Sequence, residues 1–463
     1  MRSAPAASPE FGSRIRLFYG WWIVLACGVL QFCGAGFFYY GLSVFFLPLT
    51  NEFGWSRALT SSAFSLHRLE GGLVAPLVGY AFDKLGPRKL AVFGVTMLGL
   101  GYLILSQANS FGAFAVSVLV MSLGYSCGFT ANTMSTVANW FIRKRATALG
   151  YVFAGSGSGG LLVPLIALSV DSNGWRLPAL GLGILTLAIG LPLALVLRHR
   201  PEDCSLLPDG DPPQHRPPPG RVGPVLKLPL TGTPHHEHAV TARAALRTRA
   251  FWLLAAATSL VAIAQSALVV HAIPFLTGVG LPAPIAATAI SAMSVISVGG
   301  RIAFGYIGDR FQKRHMLALV LGLQGLGILA FSVVSQAWHL IPFLALFAPG
   351  YGGAYPMRPA LQGELFGRRH FGTVQGFLLG CNAFAGVIGP IFAGWMFDAL
   401  GDYRLAFQLL GIIALLSIPL ALAMPSGQRT RSGAGPRTSL PQVAVGTGGA
   451  ADVQPRSSTT HEP

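Results

Sequence analysis

The stretch Gly299 to Arg314, GGRIAFGYIGDRFQKR, holds one cation inside an apolar run and a charged cluster just past its end. Arg301 is the inner cation; Asp309, Arg310, Lys313 and Arg314 form the cluster. Arg301 precedes Asp309 by eight residues, and at about 1.5 Å of rise per helical residue that puts it roughly 12 Å into lipid depth. Such a charge costs about 2.5–3.5 kcal/mol on insertion scales, so something must offset it. A planar guanidinium matches a carboxylate through two parallel hydrogen bonds. The counter-ion is either a protein carboxylate, with Glu70 and Glu364 as candidates, or a small monocarboxylate that the site binds. The charged pattern occurs once more, at Gly79 to Lys89, GYAFDKLGPRK, with no matching arginine ahead of it.

Other polar side chains fall inside apolar runs. His271 stands just ahead of Pro274. It is either a satisfied packing residue or a proton-handling group, since imidazole changes charge near neutral pH. Tyr351 and Tyr355 share one helix face at i, i+4. With Tyr125 they are either bulk aromatic packing or cleft hydroxyls that orient a carboxylate. Asn382 and Asn132 are weaker polar candidates. His67, Arg68 and Glu70 read as a buried cluster steadying a helix contact, or as a site where Glu70 handles a proton. Arg358, near one end of its run, is expected to snorkel or to pair with Glu364. No cysteine spacing suggests a disulfide frame or zinc site, and no metal or cofactor is expected; His235, His236 and His238 fall in a polar linker.

These residues need helices to position them. The 463-residue chain is 52% hydrophobic and 10% charged, against about 25% charge in soluble domains. That composition predicts an integral membrane protein. Backbone polar groups must pair internally in lipid, and unbroken apolar runs of about 20 residues choose helices over a barrel. Twelve such runs span 19–48, 58–82, 90–107, 111–139, 146–169, 176–197, 250–276, 284–308, 316–335, 339–362, 371–398 and 404–424. The net charge is +16, yet 26 of the 32 Lys and Arg lie at the termini or in the even-numbered gaps between runs. By the positive-inside rule both termini face the cytoplasm. The basic balance is thus a topology signal and excludes nucleic acid as its explanation.

The expected organisation is a cytoplasmic tail at 1–18 without a cleavable signal, a six-helix bundle at 19–197, a linker at 198–249, a second bundle at 250–425 and a disordered tail at 426–463. The linker holds ten prolines and five histidines and cannot bury enough apolar surface to fold alone. Pro48 should end the regular part of the first helix, and Ser56 should cap the second. The halves repeat with a shift of 226 positions: Gly79, Tyr80, Asp83 and Arg88 meet Gly305, Tyr306, Asp309 and Arg314, and Gly150 meets Gly376. An even helix count per half makes these parallel repeats, related by an axis along the membrane normal, with a site between them near the midplane.

The Gly-x-x-x-Asp-Lys/Arg-x-Gly-x-Arg-Lys signature is filled by Gly79, Asp83, Lys84, Gly86, Arg88 and Lys89. On it the chain resembles the major facilitator superfamily over roughly 19–425, which implies an all-α protein of twelve transmembrane helices in two six-helix bundles. Tyr19-Gly20-Trp21-Trp22, Phe53 to Arg57, Trp140 to Gly160 and Arg301 itself make it similar to monocarboxylate transporters and to the related oxalate/formate group. Three positions depart from those patterns. Tyr40 and Ser297 stand where animal monocarboxylate transporters have Lys and Asp, and Cys381-Asn382-Ala383 stands where oxalate carriers have a Lys.

The resemblance implies that Asp83, Lys84, Arg88, Asp309, Arg310 and Arg314 gate the cytoplasmic side, with Asp83 near helix 11 and Asp309 near helix 5. The expected function is secondary carriage of a small monocarboxylate, lactate- or pyruvate-like, with a proton, in the cell inner membrane. An oxalate/formate-type exchanger is the second reading. An intramembrane enzyme or sensor is a distant third, since no His-Glu-x-x-His pair and no nucleophile elbow occurs. The sequence leaves the oligomeric state open.

Overall fold

The structure, a computed structural model, describes residues 18–211 and 241–425, except the side chains of 57–58 and 60–69. His67, Arg68, His235, His236, His238 and the expected terminal tails, Phe18 apart, therefore lie outside the described residues.

Among the described residues, twelve long helical segments follow one another. The first six are α1 (Tyr19–Phe53), α2 (Arg57–Leu85), α3 (Pro87–Ser106), α4 (Phe111–Trp140), α5 (Arg145–Asn173) and α6 (Arg176–Val196). The second six are α7 (Arg249–Gly278), α8 (Ala283–Gly308), α9 (Lys313–Ser332), α10 (Leu340–Phe366), α11 (Phe371–Leu400) and α12 (Arg404–Leu422). Ten of them are long and apolar enough to cross a membrane. The other two are also long: α2 carries more charge, and α10 is interrupted by Pro349, Pro356 and Pro359. Ser56 caps α2 as expected, its Oγ accepting from the Leu59 N–H at 3.1 Å.

The first helix breaks earlier than Pro48. Regular turns stop at Cys33, a π stretch runs Gly34–Tyr40, and a 3₁₀ stretch runs Gly41–Phe45 before Phe46–Phe53 resumes. Pro48 sits in the first turn of that last piece, where a missing N–H costs no helical bond. The π stretch meets two other irregular stretches. Gly34 lies against Phe129 of the α4 π stretch Ser126–Thr130, and Gly36 lies against the Gly159 carbonyl of the α5 3₁₀ turn. A side chain at Gly34 or Gly36 would collide there, so glycine permits the close approach.

α5 also meets α10 and α4 meets α11, but the two most extensive interfaces between the halves are α2 with α11 and α5 with α8. They are copies of each other in the 226-residue register. Gly79 touches the Gly372 carbonyl where Gly305 touches the Ala146 carbonyl; Gly376 touches the Ala75 carbonyl where Gly150 touches the Arg301 carbonyl. Small residues let helix backbones approach closely in lipid. Ala75 is therefore the repeat partner of Arg301, and the copy without charge.

The linker is more ordered at its ends than its composition suggests. Turns at Pro201–Cys204 and Pro208–Gly210 dock against the bundle, and a short helix, Ala242–Leu246, leads into α7. Asp209 adopts φ +60 and its carboxylate accepts from the N–H groups of Ile142, Arg143 and Lys144 at 3.1, 2.9 and 3.2 Å. A buried apolar core is not needed for this, because a carboxylate is satisfying free amides of the turn between α4 and α5.

A Cβ at Gly150 would lie 2.6 Å from the Arg301 carbonyl oxygen, whereas one at Gly181 meets nothing within 4 Å. Gly150→Leu should destabilise the protein by about 1–3 kcal/mol through overpacking, lowering its thermal midpoint in detergent. Gly181→Leu should leave that midpoint unchanged.

Candidate functional site

Arg301 threads between three helices. It leaves α8 beside Gly352 of α10, whose added Cβ would lie 3.0 Å from the Arg301 nitrogen, and passes Gly157 of α5, whose Cβ would lie 2.6 Å from Nη1. Its guanidinium is only 2% exposed. Nη1 donates to the Phe153 carbonyl of α5 at 2.5 Å, and Cζ lies 4.6 Å from the centroid of the Tyr355 ring. The Tyr40 hydroxyl of α1 is within hydrogen-bonding reach of the guanidinium. Nε is buried and has no partner.

The carboxylates considered as partners are engaged elsewhere. Glu70 accepts from Ser122, closely, and from Ser126 at 3.3 Å, with its second oxygen buried and without a partner among the described residues. Glu364 pairs with Lys313 at 3.4 Å. That pairing also corrects the expectation for Arg358, whose Nε is buried without a partner. Lys313 begins α9 and reaches the carboxylate first.

Tyrosines from both halves gather near the guanidinium. Besides Tyr355 and Tyr40, Tyr125 and Tyr351 are close enough to feel its charge. The Tyr351 and Tyr355 hydroxyls are 3.1 Å apart, Tyr39 packs edge-on against Tyr40 at 5.0 Å, and Tyr39 stacks on Tyr125 at 6.5 Å. Tyr39 and Tyr40 escaped the sequence reading as site residues. The adjacent Gly34, Gly36 and Gly41 were the available signal, because wide helical turns concentrate at functional sites.

His271 and Asn382 have partners elsewhere. His271 Nε2 contacts the Pro390 carbonyl of α11 at 3.0 Å, and its ring packs 5.1 Å from Tyr403. The Asn382 oxygen accepts from Thr258 at 2.9 Å and Ser259 at 3.2 Å on α7. Asn132 donates to the Pro87 carbonyl at 3.1 Å and is fully buried.

The charged clusters divide by sign. Asp83 accepts from the Gly372 and Thr373 N–H groups at 3.0 and 2.8 Å and from the Thr373 hydroxyl at 2.6 Å, at the start of α11. Asp309 accepts from the Ala146 and Thr147 N–H groups at 2.9 and 2.8 Å, at the start of α5. The two bonding sets are again related by 226 positions. Each anion sits where free amides and the helix dipole favour it. Burial raises the Asp309 carboxyl above the ordinary aspartate value, against the opposing pull of Thr147, Ala146 and Lys313. The basic residues do not cross between halves in the same way. Lys84 lies over Tyr80, Arg310 lies over Tyr306, and Arg314 donates to the Met424 carbonyl at 3.2 Å. Arg88 is exposed. Arg368, which the sequence reading did not single out, does cross: it donates to the Asn139 carbonyl at 2.8 Å and pairs with Glu202 of the linker at 3.0 Å.

The family model of the Major Facilitator Superfamily matches residues 27–348 and 286–455. The chain belongs to that superfamily. It is 24% identical over 418 residues to the oxalate:formate antiporter of Oxalobacter formigenes, covering 89% of this chain and 94% of that protein. It is 27% identical over 424 residues to monocarboxylate transporter 12-B of Danio rerio, covering 87% of this chain and 86% of that one. Among solved structures, the E. coli fucose:proton symporter matches with a TM-score of 0.63 at 16% identity over 88% of this chain and 99% of that one. The human organic anion transporter MFSD10 matches with 0.64 at 15% identity, over 87% and 99%. At those identities the structures show the fold alone. The chain is thus a multi-pass membrane transporter, not an enzyme, and its superfamily moves small substrates across the bilayer.

Asp83→Asn and Asp309→Asn should each weaken the contact between the halves by about 1–3 kcal/mol. Electron–electron distance measurements between spin labels at Lys89 and Arg369 should show a longer, broader distribution in either variant. An unchanged distribution would mean that the carboxylates do not hold that face closed.

Proposed function

We propose that the protein is a secondary active carrier for small monocarboxylates of the lactate or pyruvate type, proton-coupled and working by alternating access. In this reading it lies in the cell inner membrane with both termini cytoplasmic. The observation that carries it is Arg301: a buried guanidinium between the two halves, against the Tyr355 ring and within reach of the Tyr40 hydroxyl, with no protein carboxylate among its described partners. A substrate carboxylate supplies the missing charge, taking two hydrogen bonds from the guanidinium fork. Tyr40, Tyr125, Tyr351 and Tyr355 orient the rest of the molecule. Asp83 and Asp309 close the cytoplasmic side, and rocking of the halves exposes the site alternately. Lys84, Arg88, Arg310 and Arg314 border that gate, and Asn382 lines the path on α11.

Glu70 is the stronger proton site of the two considered, because one of its oxygens is buried and has no partner among the described residues. His271, held on the Pro390 carbonyl, is the other. An oxalate/formate-type exchanger is the second reading, favoured by similarity to such an antiporter over nearly that protein's full length. Uptake that requires a counter-anion inside the vesicles and is not driven by a proton gradient distinguishes it.

Uptake of labelled lactate and pyruvate into proteoliposomes under a pH gradient tests the proposal. Arg301→Ala should lower substrate affinity by about 10- to 100-fold, the worth of hydrogen bonds to a charged group. Uptake indifferent to Arg301→Ala would remove the anchor. Glu70→Gln should abolish stimulation by the pH gradient while leaving counterflow intact; stimulation that survives assigns the proton elsewhere.

A further inference from the structure

Three arginines near the cleft are treated differently by their surroundings. Arg145, 2% exposed, donates Nε to the Ala138 and Phe141 carbonyls at 3.1 and 2.9 Å and lies against Gly363 of α10. It is a structural floor on the latch side. Arg301 has one carbonyl, one ring face and one tyrosine hydroxyl. Arg358 has no such contact among the described residues: its Nε is buried without a partner there, and the nearby carboxylate of Glu364 is held by Lys313.

Its place on α10 gives that isolation a use. Arg358 follows Tyr355 by three residues, on the same helix face and about 4.5 Å nearer the latch. It lies within electrostatic reach of the Tyr351 and Tyr355 hydroxyls, the same groups that face Arg301. Its neighbour Met357 packs on Gly308, the residue before the Asp309 latch. The order from the site toward the latch is therefore Arg301, the tyrosine pair, Arg358, then the Arg145 floor.

Building on the carboxylate reading above, we propose that Arg358 is a second anion-binding group that receives the substrate carboxylate from Arg301 and holds it before release to the cytoplasm. An anion leaving a single deep cation would cross an apolar path with its charge uncompensated. A second cation one turn further on removes that gap, and passage requires sites weak and numerous enough to let the ion leave. The Tyr351 and Tyr355 hydroxyls, 3.1 Å apart, donate to the carboxylate between the two cations. The other buried cation, Arg145, cannot take this part, because its Nε is already spent on main-chain carbonyls.

The test uses the full-length protein in proteoliposomes with labelled pyruvate, measuring equilibrium binding and counterflow for Arg358→Gln, Arg358→Lys and Arg301→Gln. Arg358→Gln should bind pyruvate within about twofold of the unaltered protein while counterflow slows about tenfold, the signature of a step after binding. Arg358→Lys, which keeps the charge, should retain at least about half of the counterflow rate. Counterflow at the unaltered rate in Arg358→Gln overturns the proposal. So does loss of binding as complete as in Arg301→Gln, or an Arg358→Lys protein that folds yet is equally slow. Should Arg358→Gln fail to reach the membrane, the lysine variant decides alone by the same criterion. Failure of the carboxylate reading is separate: it appears as pyruvate binding that survives Arg301→Gln, or as no carboxylate transport by the unaltered protein, and either result overturns this proposal with it.

Discussion

Everything in this protein turns on the Arg301 guanidinium, held between two bundles with no carboxylate among its described partners. A buried arginine at a helix centre costs about 2.5–3.5 kcal/mol. The Phe153 carbonyl, the Tyr355 ring face and the Tyr40 hydroxyl offset part of that; a cation over an aromatic ring contributes about 0.5–2 kcal/mol. None of these carries a negative charge. The site is thus neutral in contacts but positive in net charge, which suits a small anion better than a sugar or a cation. The tyrosines add hydroxyls that can accept or donate a hydrogen bond.

The rest of the structure is nearly symmetric, and the symmetry explains what the two halves share. Asp83 and Asp309 bind the starts of α11 and α5 through equivalent amides, and glycines at equivalent positions bring the facing helices together. Ala75 and Arg301 occupy matching places in these interfaces. A duplicated scaffold in which Arg301 replaces an alanine separates two tasks: the matched aspartates and glycines hold and move the halves, and the unmatched arginine meets the cargo.

Much of this was legible in the sequence. Apolar runs of spanning length, the sided distribution of Lys and Arg, and the ungapped repeat gave twelve helices and the place of both latch carboxylates. Arg301 was legible because a charge inside an apolar run is costly and therefore conspicuous. Tyr39 and Tyr40 were not, since α1 is apolar on all sides and a change from α to π winding leaves no periodic signal. The pairing of Lys313 with Glu364 was equally hidden, because it depends on how α9 and α10 lie side by side. The docked start of the linker was missed for a different reason. Composition reports whether a segment can build a core, and Asp209 needs none: three free amides suffice.

The most direct measurement is a pair of cryo-electron microscopy maps, with and without a saturating carboxylate that the protein carries. The account predicts new density bridging Arg301 and the Tyr40 hydroxyl, with Nη1 withdrawn from the Phe153 carbonyl. Substrate density elsewhere, with Arg301 still on that carbonyl, would contradict it.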